Sequence, residues 1–137
     1  MGFNSLEHVG IAVSNLEQAN KLFQLLSETP HYKIEQVLSE SVTTSFFKIG
    51  NTKIELVAGS GSNNAISKFI ERKGPGIHHL AFEVSDILAE MKRLREAGFE
   101  LLNENPKKGA DNKLVCFIHP KSAGGILVEL TQEMESP

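Results

Sequence analysis

The sequence predicts an α+β fold made of two tandem βαβββ modules whose strands form a curled mixed sheet around a cleft. Three observations carry that prediction. The stretch Glu7-His8-Val9-Gly10-Ile11-Ala12-Val13-Ser14-Asn15 returns as His78-His79-Leu80-Ala81-Phe82-Glu83-Val84-Ser85-Asp86, with His8 falling on His79. Ile54-Glu55-Leu56-Val57 returns as Val128-Glu129-Leu130-Thr131, with Glu55 falling on Glu129. In each copy the hydrophobic period runs from strand to helix and back to strand. At 137 residues the copies share one domain, residues 1–137. Module one covers about 5–58, a connector with a helix covers 59–74, and module two covers about 76–132.

The elements follow in order. Residues 6–13 alternate, with Val9, Ile11 and Val13 on one face and His8, Gly10 and Ala12 on the other. Ser14-Asn15-Leu16-Glu17 starts a helix over 15–27 whose buried stripe is Leu16, Ala19, Leu22, Phe23 and Leu26. Thr29-Pro30 breaks the chain. Strands follow near 33–38, 42–49 and 52–58, the last two joined by a tight Gly50-Asn51 turn. Gly59-Ser60-Gly61-Ser62 reads as a flexible connector. A short helix over 64–73 starts at Asn63 or Asn64 and stops at Gly74. The second copy then repeats the order: strand 77–84, helix 86–97, and strands near 99–103, 113–119 and 125–131. Residues 106–112 and 120–125 read as loops.

Alternation places the polar residues. Successive strand side chains point to opposite faces. Strong apolar residues flank each of His8, Glu55, His79 and Glu129, so all four point away from the face that packs on the helices. If the sheet curls, that face lines the cleft, and Gly10 and Ala81 leave room there. Two imidazoles and two carboxylates at equivalent points of a repeat form a set of ligands for one divalent ion. Co, Ni, Mn, Zn and Fe all suit it. His78 points the other way from His79 and reads as packing or as support for a ligand. His119, before Pro120, either caps a loop or faces a pocket, and His31 sits in a break, solvated.

Composition removes other classes. A formal charge of -3 without a basic stripe argues against nucleic acid. The longest apolar runs are strand-sized, which argues against a membrane span. The N-terminus lacks a charged-then-apolar signal pattern, and the lone Cys116 lies in a buried-strand pattern. A reducing cytoplasm is the expected setting. The glycine-rich connector lacks the Gly-Lys-Ser/Thr ending of a phosphate loop.

Paired βαβββ modules with His and Glu at these points resemble the vicinal oxygen chelate superfamily. That group includes glyoxalase I, extradiol dioxygenases, bleomycin and fosfomycin resistance proteins and methylmalonyl-CoA epimerases. The segments His8–Val13, Gly50–Leu56, Gly76–Phe82 and His119–Ser122 through Val128–Gln132 are most similar to the epimerase family and spread over nearly the whole chain. The resemblance implies a divalent metal on His8, Glu55, His79 and Glu129. It also implies an acyl-CoA thioester substrate, bound in part by Lys121 and Ser122, and a homodimer. The sequence departs from the family where epimerases often carry Glu-Gln-Gly-Val: here the stretch is Ser39-Glu40-Ser41-Val42. Some epimerases place a proposed basic Glu two residues after that Val, where this chain has Thr44.

The activity so implied is interconversion of the R and S forms of methylmalonyl-CoA through an enolate that a divalent metal stabilises. It needs one base on each side of a planar carbon. Glu129 is one candidate. Glu40 is the other, because it precedes a strand expected to border the cleft. Two rivals share the superfamily. A glyoxalase I-type lactoylglutathione lyase would use the same ligand set, and a non-enzymatic ligand-binding resistance protein often lacks the full set. The Gly76–His79 and His119–Ser122 segments favour the epimerase.

Overall fold

A computed structural model describes residues 2–134. The element order is β1 (Ser5–Ala12), α1 (Leu16–Ser27), β2 (Lys33–Val37), β3 (Val42–Ile49), β4 (Thr52–Gly59), α2 (Ala65–Lys73), β5 (Gly76–Glu83), α3 (Ile87–Glu96), β6 (Lys107–Lys108), β7 (Lys113–Ile118) and β8 (Val128–Glu133). This is βαβββ twice with a linking helix, as the sequence predicts. The described chain falls into two compact units, residues 8–78 and residues 79–134 with 2–7. In the first, strands lie in the order β2-β3-β4-β1; in the second, β5-β8-β7-β6. Each set is mixed in the same way: β1 runs parallel to β4, β5 runs parallel to β8, and the remaining pairs are antiparallel.

In the first unit, α1 starts at Asn15, whose side chain accepts from the Gln18 N–H at 2.9 Å, an N-cap that satisfies one orphan donor of the first turn. Its packed stripe is narrower than periodicity suggests. Leu16, Ala19 and Phe23 meet Ile11, Val13, Phe47, Ile54, Leu56 and Ala58, while Leu22 and Leu26 are 54% and 69% exposed. The difference has a polar cause: Asn20 is buried, and its side-chain oxygen accepts from the buried Ser45 hydroxyl at 2.5 Å. A buried amide must be satisfied, so the helix turns that face to the sheet and Leu22 and Leu26 outward. Residues 59–62 are more tightly held than a flexible connector would be. Asn64, the N-cap of α2, donates to the Ser60 and Gly61 carbonyls at 3.2 and 3.1 Å and accepts from Ser67 N–H at 2.7 Å.

In the second unit, α3 is capped by Asp86, and Gln132 accepts from the Ile87 N–H at 2.7 Å. Ile87, Met91 and Leu94 pack with Val84, Cys116, Ile118 and Leu130. The second strand of this copy lies elsewhere than expected. Residues 99–103 form no strand beyond an isolated bridge from Leu101 to Ile118; β6 instead occupies Lys107–Lys108, inside the stretch that reads as loop. The short apolar run Phe99–Leu102 looks like a strand, but Phe99 and Leu101 are used to pack against the core beside α3. Cys116 is fully buried, and burial pushes its thiol pKa up, which keeps it inert.

Residues 2–7 are tied to the second unit. Phe3 stacks on Phe82 with ring centroids 4.3 Å apart, Asn4 N–H donates to the Glu83 carbonyl at 2.8 Å, and Gly2 N–H donates to the Glu90 carboxylate. Glu90 is 2% exposed and also accepts from Arg93 at 2.8 Å. The Arg93 hydrogen bond is the largest influence holding the Glu90 carboxyl below its ordinary value. A lowered pKa means that the carboxylate stabilises the fold fully above the unfolded glutamate range, and that this contribution is lost as pH falls through the lowered folded value. Glu90→Gln is expected to cost on the order of 1–2 kcal/mol at neutral pH, the range for a charged hydrogen bond discounted for the half-exposed Arg93. The cost should shrink below about pH 4, where the unfolded glutamate is protonated. Urea melts of both proteins at pH 7 and pH 3.5 check this. An equal difference at both pH values would refute it.

Candidate metal centre

Each unit holds one of the repeated His–Glu pairs. In the first, β1 and β4 run side by side with Gly10 opposite Glu55. His8 Nε2 lies 3.5 Å from Glu55 Oε1, with both side chains under a tenth exposed. In the second, β5 and β8 put Ala81 opposite Glu129. His79 Nε2 lies 3.4 Å from Glu129 Oε1, again with both side chains under a tenth exposed. The two pairs agree to within 0.1 Å in separation and share a small residue beside the glutamate. These positions face away from α1 and α3, which pack on residues of the other face, but the expectation of a face free of helices holds only in part: in the first unit α2 packs on the His8 and Glu55 face farther along, against Ala12, Val42 and Val57.

The donor atoms suit a cation. Nitrogen and oxygen ligands about 2.1 Å from one ion, at roughly 110° to each other, sit about 3.4 Å apart. A buried carboxylate is costly without a compensating positive partner, and the chain buries two on this pattern, Glu55 and Glu129. One nitrogen and one oxygen per unit are too few to complete an ion's coordination shell, so neither pair is a closed site by itself.

The register extends each pair into a row. In the first unit, Phe46 is directly opposite Glu55 and Lys33 is directly opposite Phe46, with the Lys33 ammonium 5.7 Å from the ring centroid. In the second, Phe117 is opposite Glu129, the His79 ring meets it edge-on at 6.0 Å, and the Lys107 ammonium lies 5.9 Å from its centroid. Both units thus repeat His, Glu, Phe and Lys, and the lysines sit within cation–π range. The sequence offers Lys107 as a loop lysine that could meet CoA phosphates and gives no sign of Lys33, Phe46 and Phe117. The signal was weak: Lys33 and Lys107 come from strands of very different length, so no repeat in the sequence aligns them.

Other sequence candidates are placed as follows. Glu40 ends a 3₁₀ turn, Leu38–Glu40, between β2 and β3, so the strand that was to carry it toward the cleft begins only at Val42. The left-handed Ser41 makes that break. Ser122 and Lys121 lie in a second 3₁₀ turn, Pro120–Ala123. The Ser122 hydroxyl accepts from Glu100 N–H at 2.9 Å, and Lys121 is exposed. His119 is a loop cap: its Nδ1 accepts from Lys121 N–H at 3.0 Å. His78 packs edge-on against Phe69 at 4.9 Å. His31, expected in solvent, instead sits edge-on to Phe47 at 5.9 Å, with its Nδ1 buried. No helix among the described residues is long and apolar enough to cross a membrane.

Comparison with known proteins adds the family context. The family model for the glyoxalase/bleomycin resistance protein/dioxygenase superfamily matches residues 7–117. An ethylmalonyl-CoA/methylmalonyl-CoA epimerase of Cereibacter sphaeroides is 42% identical over 129 residues, 93% of this chain and 96% of its own. The crystal structure of methylmalonyl-CoA epimerase from Mycobacterium tuberculosis is similar with a TM-score of 0.92 at 33% identity, covering 97% of this chain and 90% of that one. A methylmalonyl-CoA epimerase in complex with methylmalonyl-CoA and NH4+ gives 0.93 at 26% identity over 99% and 100% of the two chains.

Proposed function

We propose, from the premise that this chain belongs to the glyoxalase/bleomycin resistance protein/dioxygenase superfamily, that it is an isomerase epimerising the α-carbon of methylmalonyl-CoA or a near 2-substituted acyl-CoA. The observation that carries this reading is the twice-built buried His–Glu pair, in a chain matched nearly end to end by an epimerase at 42% identity. His8, Glu55, His79 and Glu129 would hold one divalent ion, shared by both modules of a single domain because each module offers only two donors. Such an ion would supply Lewis-acid stabilisation of negative charge developing on the thioester oxygen. The protein's own part is to orient the acyl group and move the proton. Glu129 is assigned one of the two proton transfers. Lys121 and Ser122, and the lysines of the rows, are assigned to the anionic CoA portion, with a homodimer and a cytoplasmic setting as in the sequence reading.

The test is solvent-deuterium exchange at the α-carbon of methylmalonyl-CoA by the protein loaded with cobalt, with methylglyoxal plus glutathione assayed in parallel and cobalt counted per chain. Exchange into the thioester with about one ion per chain is the expected result. Turnover of the hemithioacetal alone would replace this reading with a lactoylglutathione lyase. Activity on neither would favour a ligand-binding role, and two ions per chain would refute the shared site.

A further inference from the structure

We propose that β2 is the contact edge of the homodimer, pairing antiparallel with β2 of a second copy about a two-fold axis at Ile34. The inference names a surface for the homodimer of the reading above and rests on that homodimer, not on the epimerase chemistry. Among the described residues β2 (Lys33–Val37) is the outermost strand of the first unit. An outermost strand is a template for pairing with another chain, and proteins that keep it single often make it very short. The second unit does this: its outermost strand, β6, has two residues. β2 has five, and it exposes an isoleucine.

Register places that isoleucine. Ile34 lies opposite Ser45, and Ser45 lies opposite Leu56, on which α1 packs. Residues opposite one another across a sheet share a face, so Ile34 stands on the α1 face. The helix leaves it 53% exposed, and Tyr32, just before the strand, 51%. Lys33 and Glu35 flank Ile34 and point to the other face. Lys33 Nζ lies 3.2 Å from Glu35 Oε1, with the side chains 38% and 30% exposed. An ion pair this exposed contributes little to folding, and both its members remain within reach of a chain laid along the edge.

Charge selects a second copy as the occupant. When two identical strands pair antiparallel about a two-fold axis, residues equally far from the axis stand opposite each other. An axis at Ile34 sets Lys33 opposite the partner's Glu35, Glu35 opposite the partner's Lys33, and Ile34 against the partner's Ile34. An axis at Lys33 or at Glu35 would set that residue opposite its own copy, and like charges directly opposite are destabilising. An axis farther along would run the pairing into Pro30 or into the Leu38–Glu40 turn. A two-fold contact must be self-complementary, and the register at Ile34 is. The Lys33 ammonium has three donors, so it meets the partner's Glu35 while keeping its place over Phe46. Burial of the two isoleucines supplies the apolar centre, and the charges fix the register.

Sedimentation velocity on the full chain tests the edge. The unmodified protein should form a dimer between about 1 and 100 µM, the range of a modest contact. Lys33→Glu and Glu35→Lys should each raise the dimer dissociation constant at least about 10-fold, because each turns two attractive pairs into two repulsive ones. Mixed in equal amounts, the two variants should associate with each other within a few-fold of the unmodified affinity, since their charges match again across the axis. The double variant Lys33→Glu/Glu35→Lys should dimerise alone. Misfolded chains would not recover on mixing. Leu22→Ser/Leu26→Ser, on the exposed side of α1, should leave assembly unchanged. A dimer that both single variants keep, a mixture that fails to associate, or a dimer lost in the α1 variant would overturn this edge while leaving the homodimer standing. A monomer throughout the range would overturn both, and the exchange assay decides the epimerase chemistry separately.

Discussion

Glu129→Gln is expected to cut α-proton exchange from the methylmalonyl-CoA stereoisomer that Glu129 deprotonates by at least about 10²-fold while the variant keeps its fold and part of its metal affinity. The substitution preserves one side-chain oxygen at a position 3.4 Å from His79 Nε2, but removes the charge and the basicity. Glu129 lies in the middle of β8, 6% exposed, between Ala81 of β5 and Phe117 of β7. A neutral amide is easier to bury than a carboxylate, so the apo variant should melt no lower than the unmodified apo protein. Its cobalt-induced rise in melting temperature should be smaller, since stabilisation by a ligand scales with its affinity. Exchange within ten-fold of the unmodified rate would remove Glu129 from the proton path.

His8→Ala and His79→Ala should each weaken cobalt binding by more than about 100-fold, beyond the effect of disturbing a residue that merely supports a ligand. Isothermal titration on chelator-treated protein measures this. His79 also meets Phe117 edge-on at 6.0 Å, so His79→Ala loses aromatic packing as well as a donor. Unchanged cobalt affinity in either variant would refute a shared ion, and unfolding of the His8 variant would show that its imidazole is structural.

Much of this was legible in the residues. The order βαβββ twice followed from period changes, and the turn and cap residues Asn15, Gly50-Asn51, Asn64, Gly74 and Asp86 sit where local chemistry needs them. The His–Glu pairs followed from alternation, because a strand has only two faces and apolar neighbours fix which one faces the helices. Misreadings arose where a side chain answered to a distant partner. Leu22 and Leu26 were exposed by the Asn20–Ser45 bond, Phe99–Leu102 was taken into the core beside α3, and His31 was claimed by Phe47.

The repeat, the order of the elements and the polar residues that face away from α1 and α3 could be read from the residues alone, since these depend on local dihedral preferences and on a period of two, whereas the cover that α2 lays over Ala12 and Val57 on that face could not. Only the tertiary structure decided the rows: Glu55 beside Phe46 and Lys33, Glu129 beside Phe117, and Glu35 beside Thr44. Strand register pairs residues far apart in the chain, and hairpin and crossover geometry sets it. A left-handed Ser41 that ends the Leu38–Glu40 turn, and a β6 of only two residues, are enough to change which acid and which lysine stand beside the His–Glu pairs.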